Sequence, residues 1–393
     1  MHTHHTGFPS LLQNTLDTLC KKEADWANPM TTPQLSVIIP TLNEAALLPG
    51  LLAQLQQQRG VTLEILIGDA GSQDATARMA CSTGVRLIRA PMGRGAQMNA
   101  AAREATGEYL LFLHADSGLS NPDLLACALL ALEQSQASIG KPCAGHFQLC
   151  FVDQPSGYSW LFHYYAKKST LNRPECCNGD QGWLLSRGFF EKLGGFSEQF
   201  PFLEDQDLAA RIGQQGTWMN LPGSLTTSAR RFQKEGVWRR VLLNAMIMVC
   251  WHTGFEEFLR LAPAIYRSQD VTRPVQMTPF FHLFWQLNRA AGRKIAWCRW
   301  RAMGRYAWHS VWQIFFLLDL LLFGSRKSDP FPLLDWYDKK LHPLIHFFLF
   351  DLFCMIIVLI LFVILWAWVV ALETASKILS FFVIKFNVNK NND

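Results

Sequence analysis

The positions best suited to chemistry in this 393-residue sequence are acidic side chains that follow apolar runs, with glycine, asparagine or serine beside them. Three such clusters occur early: Thr41 with Asn43 and Glu44, Asp69 with Ser72 and Asp74, and His114 with Asp116. Asp69 can accept hydrogen bonds from a base or a ribose. Asp116, beside His114, is a hard oxygen ligand suited to Mg²⁺ or Mn²⁺, which would bridge to a diphosphate. Between these clusters Gly93-Arg94-Gly95 opens an alanine-rich segment, where backbone N–H groups and a guanidinium could meet anionic oxygens.

Further along stand Asn178-Gly179-Asp180-Gln181-Gly182 and then Glu204, Asp205 and Asp207, just before a helical stretch from Leu208 to Gln214. Carboxylates there complement a helix N-terminus. Crowding also raises the pKa of at least one of them, which suits a general base held by its neighbours. Ser228-Ala229-Arg230-Arg231-Phe232 with Lys234 is a basic cluster able to clamp a departing diphosphate, or a solvated surface.

The elements that must position these residues are legible in outline. Leu35 to Ile39 is a β-branched run stopped by Pro40, a buried strand of the parallel kind, and leucines at 47, 48, 51, 52 and 55 follow at helical spacing. Leu63 to Gly68 is a second strand ending at Asp69, Ser72 to Cys81 a helix, Val85 to Ile88 a third strand and Ala96 to Ala105 a third helix. Glu108 to Leu113 is a fourth strand, ending in His114-Ala115-Asp116. Strands alternating with helices predict an α/β fold, a mostly parallel, Rossmann-like sheet flanked by helices. Ligands of such sheets bind at the carboxyl ends of the strands, where all three early clusters fall. The dinucleotide fingerprint GxGxxG is absent after the first strand, which argues against a nicotinamide or flavin enzyme.

Half of the residues are hydrophobic and only 17% are charged, below the roughly 25% of an ordinary soluble domain. The net charge of +5 is too mild for a nucleic-acid binder, so no nucleic-acid partner is expected. The ten cysteines contain no CxxC pair and suit free thiols in a reducing compartment. His2, His4 and His5 belong to a polar start that reads as a solvated tail. Leu352 to Leu372 runs for 21 residues without a charge or a proline, long enough to cross a bilayer as a helix. Between Arg289 and Arg305 six basic residues are interleaved with Trp297 and Trp300, as in a helix lying among headgroups. The run Ile314 to Phe323 is too short to span and carries Asp319, so it is expected to be re-entrant, interfacial or packed on protein.

Taken in order, LSVIIPTLNE, IGDAGSQDAT, GRGAQMNAAAREATGEYLLFLHAD, GDQG, LEDQDLAARI and TTSARRF resemble the family 2 nucleotide-sugar glycosyltransferases of GT-A fold, and among them the bacterial subgroup whose metal motif reads HAD. The resemblance covers residues 34–265. It implies that Pro40, Thr41, Asn43, Glu44 and Ser72 line a nucleoside pocket, that Asp69 contacts the base, and that Arg94 approaches the base or diphosphate. It places Asp116 on a divalent cation, Mg²⁺ or Mn²⁺, with His114 where the family's first metal-motif aspartate stands. Gly179, Asp180 and Gln181 would form the acceptor-side wall, Asp205 the catalytic base with Glu204 beside it, and Arg230 and Arg231 diphosphate contacts. The implied partners are a nucleotide-sugar donor, a sugar or lipid-linked acceptor and the membrane, and the implied reaction is inverting, metal-dependent transfer.

The expected organisation is a flexible leader (1–33), the GT-A domain (34–265), a Trp/Arg-rich interfacial helical region (266–344), a transmembrane helix (345–374) and a short polar tail (375–393). The chain would cross the membrane once, with the catalytic domain facing the cytoplasm, where nucleotide sugars are found. Two competing readings predict different sequences. A nucleotidyltransferase forming activated sugars needs a basic glycine-rich loop where Pro40-Thr41-Leu42-Asn43-Glu44 stands, and a catalytically silent scaffold would not keep Asp69, Asp116, Asp180 and Asp205 together.

Overall fold

The computed structural model describes residues 33–390 except 84, 200–201, 270–273, 325–330 and 343–347. The expected leader, with its three histidines, lies outside the described residues apart from Pro33, as do 391–393 of the expected tail. The chain forms two compact units that divide between Ala229 and Arg230.

The first unit is built on one eight-stranded sheet. Its elements are β1 (Leu35–Thr41), α1 (Leu48–Gln56), β2 (Leu63–Asp69), α2 (Thr76–Ser82), β3 (Arg86–Arg89), α3 (Arg94–Arg103), β4 (Tyr109–Phe112), β5 (Gly118–Leu119), α4 (Leu124–Ile139), β6 (Cys143–Val152), α5 (Ser159–Lys168), β7 (Trp183–Ser186), α6 (Arg187–Leu193), α7 (Glu204–Gln215) and β8 (Thr217–Ser228). The strand order is β3-β2-β1-β4-β7-β6-β8-β5. β1 pairs in parallel with β2 and β4, whereas β7 runs antiparallel to both β4 and β6.

Both faces of β1 are covered. Val37 and Ile39 pack with Leu48, Leu51, Leu52 and Leu55 of α1 on one side. Ile38 packs with Leu110, Phe112 and Met98 and Ala101 of α3 on the other. This explains an apolar run without alternation. The strand extends through Pro40 instead of stopping before it. Ile38 C=O accepts from Leu113 N–H, so residue 40, two positions on, also faces the β4 side, where pairing has already ended at Phe112. No ladder bond is lost there, and Pro40 is tolerated.

The order β3-β2-β1-β4 reverses direction between β1 and β4, which opens the switch-point crevice at their carboxyl ends. The helix expected from Ser72 begins only at Thr76, leaving Ser72 and Asp74 in the loop as hydrogen-bonding groups. α3 lies unusually close to β2: a Cβ on Gly68 would stand 2.4 Å from Gln97 C=O, so only glycine fits there.

The second unit is helical: α8 (Arg230–Glu235), α9 (Val237–His252), α10 (Glu256–Arg267), α11 (Thr278–Ala290), α12 (Gly292–His309), α13 (Trp312–Leu322), α14 (Pro332–Trp336) and α15 (Phe348–Lys390). The segment Phe350–Ser376 of α15 is long and apolar enough to cross a bilayer. α13, the short apolar run, turns Asp319 wholly inward, where its carboxylate accepts the N–H groups of Leu333 and Leu334 at 2.9 and 2.8 Å and caps α14.

Candidate active site

Two groups of polar residues gather at the carboxyl end of the sheet, joined by α3. The first surrounds Asp69, the last residue of β2, which is 5% exposed. Its carboxylate accepts from Thr41 Oγ1 at 3.1 Å, from Gly71 and Ser72 N–H at 2.9 and 3.0 Å, and from Ser72 Oγ. Burial opposes ionisation, but these bonds, led by Ser72, outweigh it and hold the carboxyl below its ordinary range. Asn43, at φ 57, donates its N–H to Ser72 Oγ and accepts from Gln73 N–H, and Glu44 N–H bonds Thr76 Oγ1. The loop after β1 is thereby stitched to the loop after β2.

The second group is acidic. His114 to Ser117 form a turn closed by Ser117 N–H to His114 C=O, which carries Asp116 past the end of β4. A 3₁₀ turn, Gly179–Gln181, presents Asp180, and Gln181, 1% exposed, anchors it by donating from Nε2 to Cys176 C=O at 2.7 Å. α7 begins after Leu203, a leucine in the left-handed region at φ 67, and its first turn bears Glu204, Asp205 and Asp207. A non-glycine residue in that conformation is costly and is kept only where the surroundings impose it.

The three carboxylates of α7 have different partners. Asp207 is tied to Arg211 one turn on. Asp205 accepts Gly179 N–H at 3.0 Å through Oδ2 and Gln206 N–H at 2.8 Å through Oδ1. Glu204, 2% exposed, accepts from Arg94 Nη1 at 3.2 Å. Arg94 opens α3, and Gly95 permits the approach, since a Cβ there would lie 2.8 Å from Ser197 C=O and 3.2 Å from Glu204 Cβ.

The electrostatics follow from crowding. Burial pushes Asp180 up to about 7, helped by the charges of Asp205 and Asp116 and opposed by Arg94. Glu204 is also raised, by burial and by Asp205, against the pull of Arg94. Arg94 is itself burdened by desolvation, yet Glu204, Asp205, Asp180 and Asp116 together raise its pKa. Four carboxylates thus face one guanidinium. Asp180 Oδ1 and Glu204 Oε2 are buried without a hydrogen-bond partner. His114 Nε2 and Asp205 Cβ would each be 3.4 Å from a Cβ on Gly179, which places both beside that glycine.

Asp116, His114, Arg94, Gly179, Asp180, Glu204 and Asp205 are therefore brought together, as are Thr41, Asn43, Asp69 and Ser72. Pro40 and Glu44 flank the latter group on β1 and its loop. Arg230 and Arg231 open α8 in the second unit. Gln97, not singled out from the sequence, is 6% exposed and donates from Nε2 to Thr41 C=O at 2.6 Å and Gly68 C=O at 3.0 Å. Asn99 likewise bonds Phe196 in both directions, with Asn99 Nδ2 donating to Phe196 C=O and Phe196 N–H to Asn99 Oδ1, at 2.9 Å each. They lie two and four residues past the GRG segment, which was the available signal.

Residues 36–194 match glycosyl transferase family 2. A PGL/p-HBAD biosynthesis glycosyltransferase of Mycobacterium tuberculosis is 30% identical over 192 residues, covering 46% of this chain and 70% of that protein. The chain belongs to glycosyl transferase family 2. The O-antigen chain rhamnosyltransferase RfbN of Salmonella typhimurium is 24% identical over 196 residues, which is 47% of this chain and 62% of that one. Among solved structures, the mannosyltransferase PcManGT of Pyrobaculum calidifontis, in complex with GDP-Man and Mn²⁺, covers 92% of each chain at 20% identity and a TM-score of 0.41. As a family 2 glycosyltransferase, the protein has in its mixed, helix-flanked sheet a GT-A fold.

Proposed function

We propose that this family 2 glycosyltransferase moves a sugar from a nucleoside-diphosphate donor to a hydroxyl or phosphate acceptor, with inversion, while bound to a membrane with its catalytic unit on the cytosolic side. The observation that carries the reading is the acidic basin around Arg94, one helix away from the hydrogen-bonded Asp69. Asp69, held ionised, is the acceptor for a base or ribose, in a pocket edged by Pro40, Thr41, Asn43, Glu44 and Ser72. Asp205 is the general base: Gly179 N–H fixes its Oδ2, and among the described residues no arginine hydrogen-bonds it, whereas Arg94 donates to Glu204. Asp205 takes the proton of the acceptor hydroxyl as its oxygen attacks the anomeric carbon opposite the departing diphosphate, so a single displacement inverts that carbon. Gly179, Asp180 and Gln181 form the wall against which the acceptor lies.

Among the described residues no three acidic, histidine or cysteine side chains group as a metal-ligand set. The residues nonetheless fit a hard cation of the kind bound by one or two carboxylates and substrate phosphates, because four carboxylates around one arginine leave negative charge to neutralise. Asp116, with His114, would hold it. Bound there, Mg²⁺ or Mn²⁺ would supply charge stabilisation to the leaving diphosphate. The apolar α15 supports a membrane location and, with it, a lipid-linked acceptor.

The test is a thermal-shift screen of the full chain with UDP-, GDP- and TDP-sugars, with and without Mn²⁺, followed by assay of donor hydrolysis and transfer. One donor class should raise the melting temperature in a cation-dependent way and be turned over. If no donor binds or is consumed, the reading fails.

A further inference from the structure

Between Asp351 and Glu373 the side chains of α15 fall on two faces. Asp351, Met355, Phe362, Trp366, Val369 and Glu373 recur at three- and four-residue steps or their sum, one stripe of a helix, and they face the rest of the second unit. Both carboxylates of the apolar segment lie on this stripe. The opposite face, Phe353, Ile356, Ile357, Ile360, Ile364 and Trp368, is apolar throughout and exposed.

The inner stripe is met by charged helices along its length. At one end Arg305 of α12 donates to Asp351 from Nε and Nη2 at 3.0 and 2.8 Å. Gly304 brings the two backbones together, since a Cβ there would stand 2.5 Å from Met355 N. Near the middle Trp300 packs on Phe362, with ring centroids 5.4 Å apart. At the far end Glu373 accepts the N–H groups of Met277 and Thr278, capping α11, at 2.6 and 3.4 Å. α12 itself carries Arg293, Lys294, Arg299, Arg301 and Arg305 and no acidic residue. Arg299, adjacent to Trp300, binds both carboxylate oxygens of Glu257 at 2.7 Å, and the Glu257 side chain is 56% exposed.

Length alone permits a crossing, because residues 351–373 extend about 33 Å as a helix. A crossing would, however, carry α12 into the hydrocarbon with them, and would bring the Arg299–Glu257 pair, with its exposed carboxylate, to mid-bilayer. Charged groups at that depth are found inside protein or water-filled cavities, not facing lipid. Laid in the plane of the membrane, the same bundle sinks only the outer face of α15 into one leaflet and leaves the charges of α12 among headgroups and water. α13 follows the same plan, with Ile314, Leu318 and Leu321 exposed along one face and Asp319 turned inward. We infer that α15 is an in-plane anchor inserted into a single leaflet of a bilayer bearing anionic headgroups, which complement the basic face of α12. The inference rests on the reading that α15 enters a membrane, and replaces the single crossing with one-sided docking.

The full chain tests it, with each native cysteine that reacts with maleimide replaced by serine and one cysteine placed on either side of the segment, Lys340→Cys and Ser376→Cys. It is reconstituted in sealed phosphatidylcholine–phosphatidylglycerol vesicles and treated outside with a membrane-impermeant maleimide, and labels per chain are counted by mass spectrometry. One-sided docking yields chains with two labels or none, whichever way they were inserted. Chains carrying a single label mean a crossing and overturn the inference. Chains that fail to float with the vesicles overturn instead the membrane reading on which it rests. Flotation should weaken at least tenfold without phosphatidylglycerol, and flotation indifferent to it overturns the assigned headgroup chemistry.

Discussion

Buried carboxylates in the second unit are surrounded by donors, whereas those at the acidic basin of the first are surrounded by one another. Asp319 and Glu373 each accept two backbone N–H groups at a helix start. Asp180 and Glu204 each keep an oxygen buried without a hydrogen bond. An unsatisfied buried acceptor typically costs about 1–3 kcal/mol, so the first arrangement is a stabilising use of acid groups and the second a destabilising one. Where both occur in one chain, the costly arrangement marks the place where chemistry outweighs stability.

The contrast can be broken most sharply at Asp205. Asp205→Asn should lower turnover by about 10²- to 10⁴-fold, the usual contribution of a general base, while calorimetry finds donor affinity nearly unchanged. A variant with wild-type turnover would put the base elsewhere. Next is Asp180, whose folded-state pKa of about 7 exceeds the ordinary 3.8. The folded protein keeps a proton that the unfolded chain releases, so the group's favourable contribution is complete below the ordinary pKa and is lost as pH rises through about 7. In chelator at pH 8, Asp180→Asn should therefore stabilise the chain by on the order of 3 kcal/mol, with little gain near pH 4, as denaturant melts at both values will show. The capping acid predicts the opposite sign: Asp319→Ala should destabilise by about 1–3 kcal/mol and leave turnover per folded molecule unaltered. Smallest is Glu104→Ala, which removes a surface pair with Arg86 and should change stability by about 0–0.5 kcal/mol.

The parallel half of the sheet was legible because strands buried on both faces are written as unbroken apolar runs, and their polar ends mark the crevice. β8 was not. It contains Pro222 and Gly223, the latter at φ 85, and its pairing with β6 slips at His146/Gln148, so local pattern reads as loop. Within the site, each acidic motif could be found by type and spacing. The partners inside Glu204-Asp205-Gln206-Asp207 could not, because Glu204 meets Arg94, 110 positions away, and Asp205 meets Gly179, 26 positions away. Likewise the apolar run of α15 was plain from composition, but the two carboxylates that face it inward have meaning only against α11 and α12.

Helix α3 has a consequence for accuracy. Arg94 grips the acidic basin from its first turn, and Gln97, three positions on, grips the backbone of β1 and β2 beside Asp69. One short rigid body therefore serves as the gauge between the two ends of the crevice. Thermal displacement of α3 moves both grips together, so the separation between them is set by covalent geometry and not by the average of two independent loops.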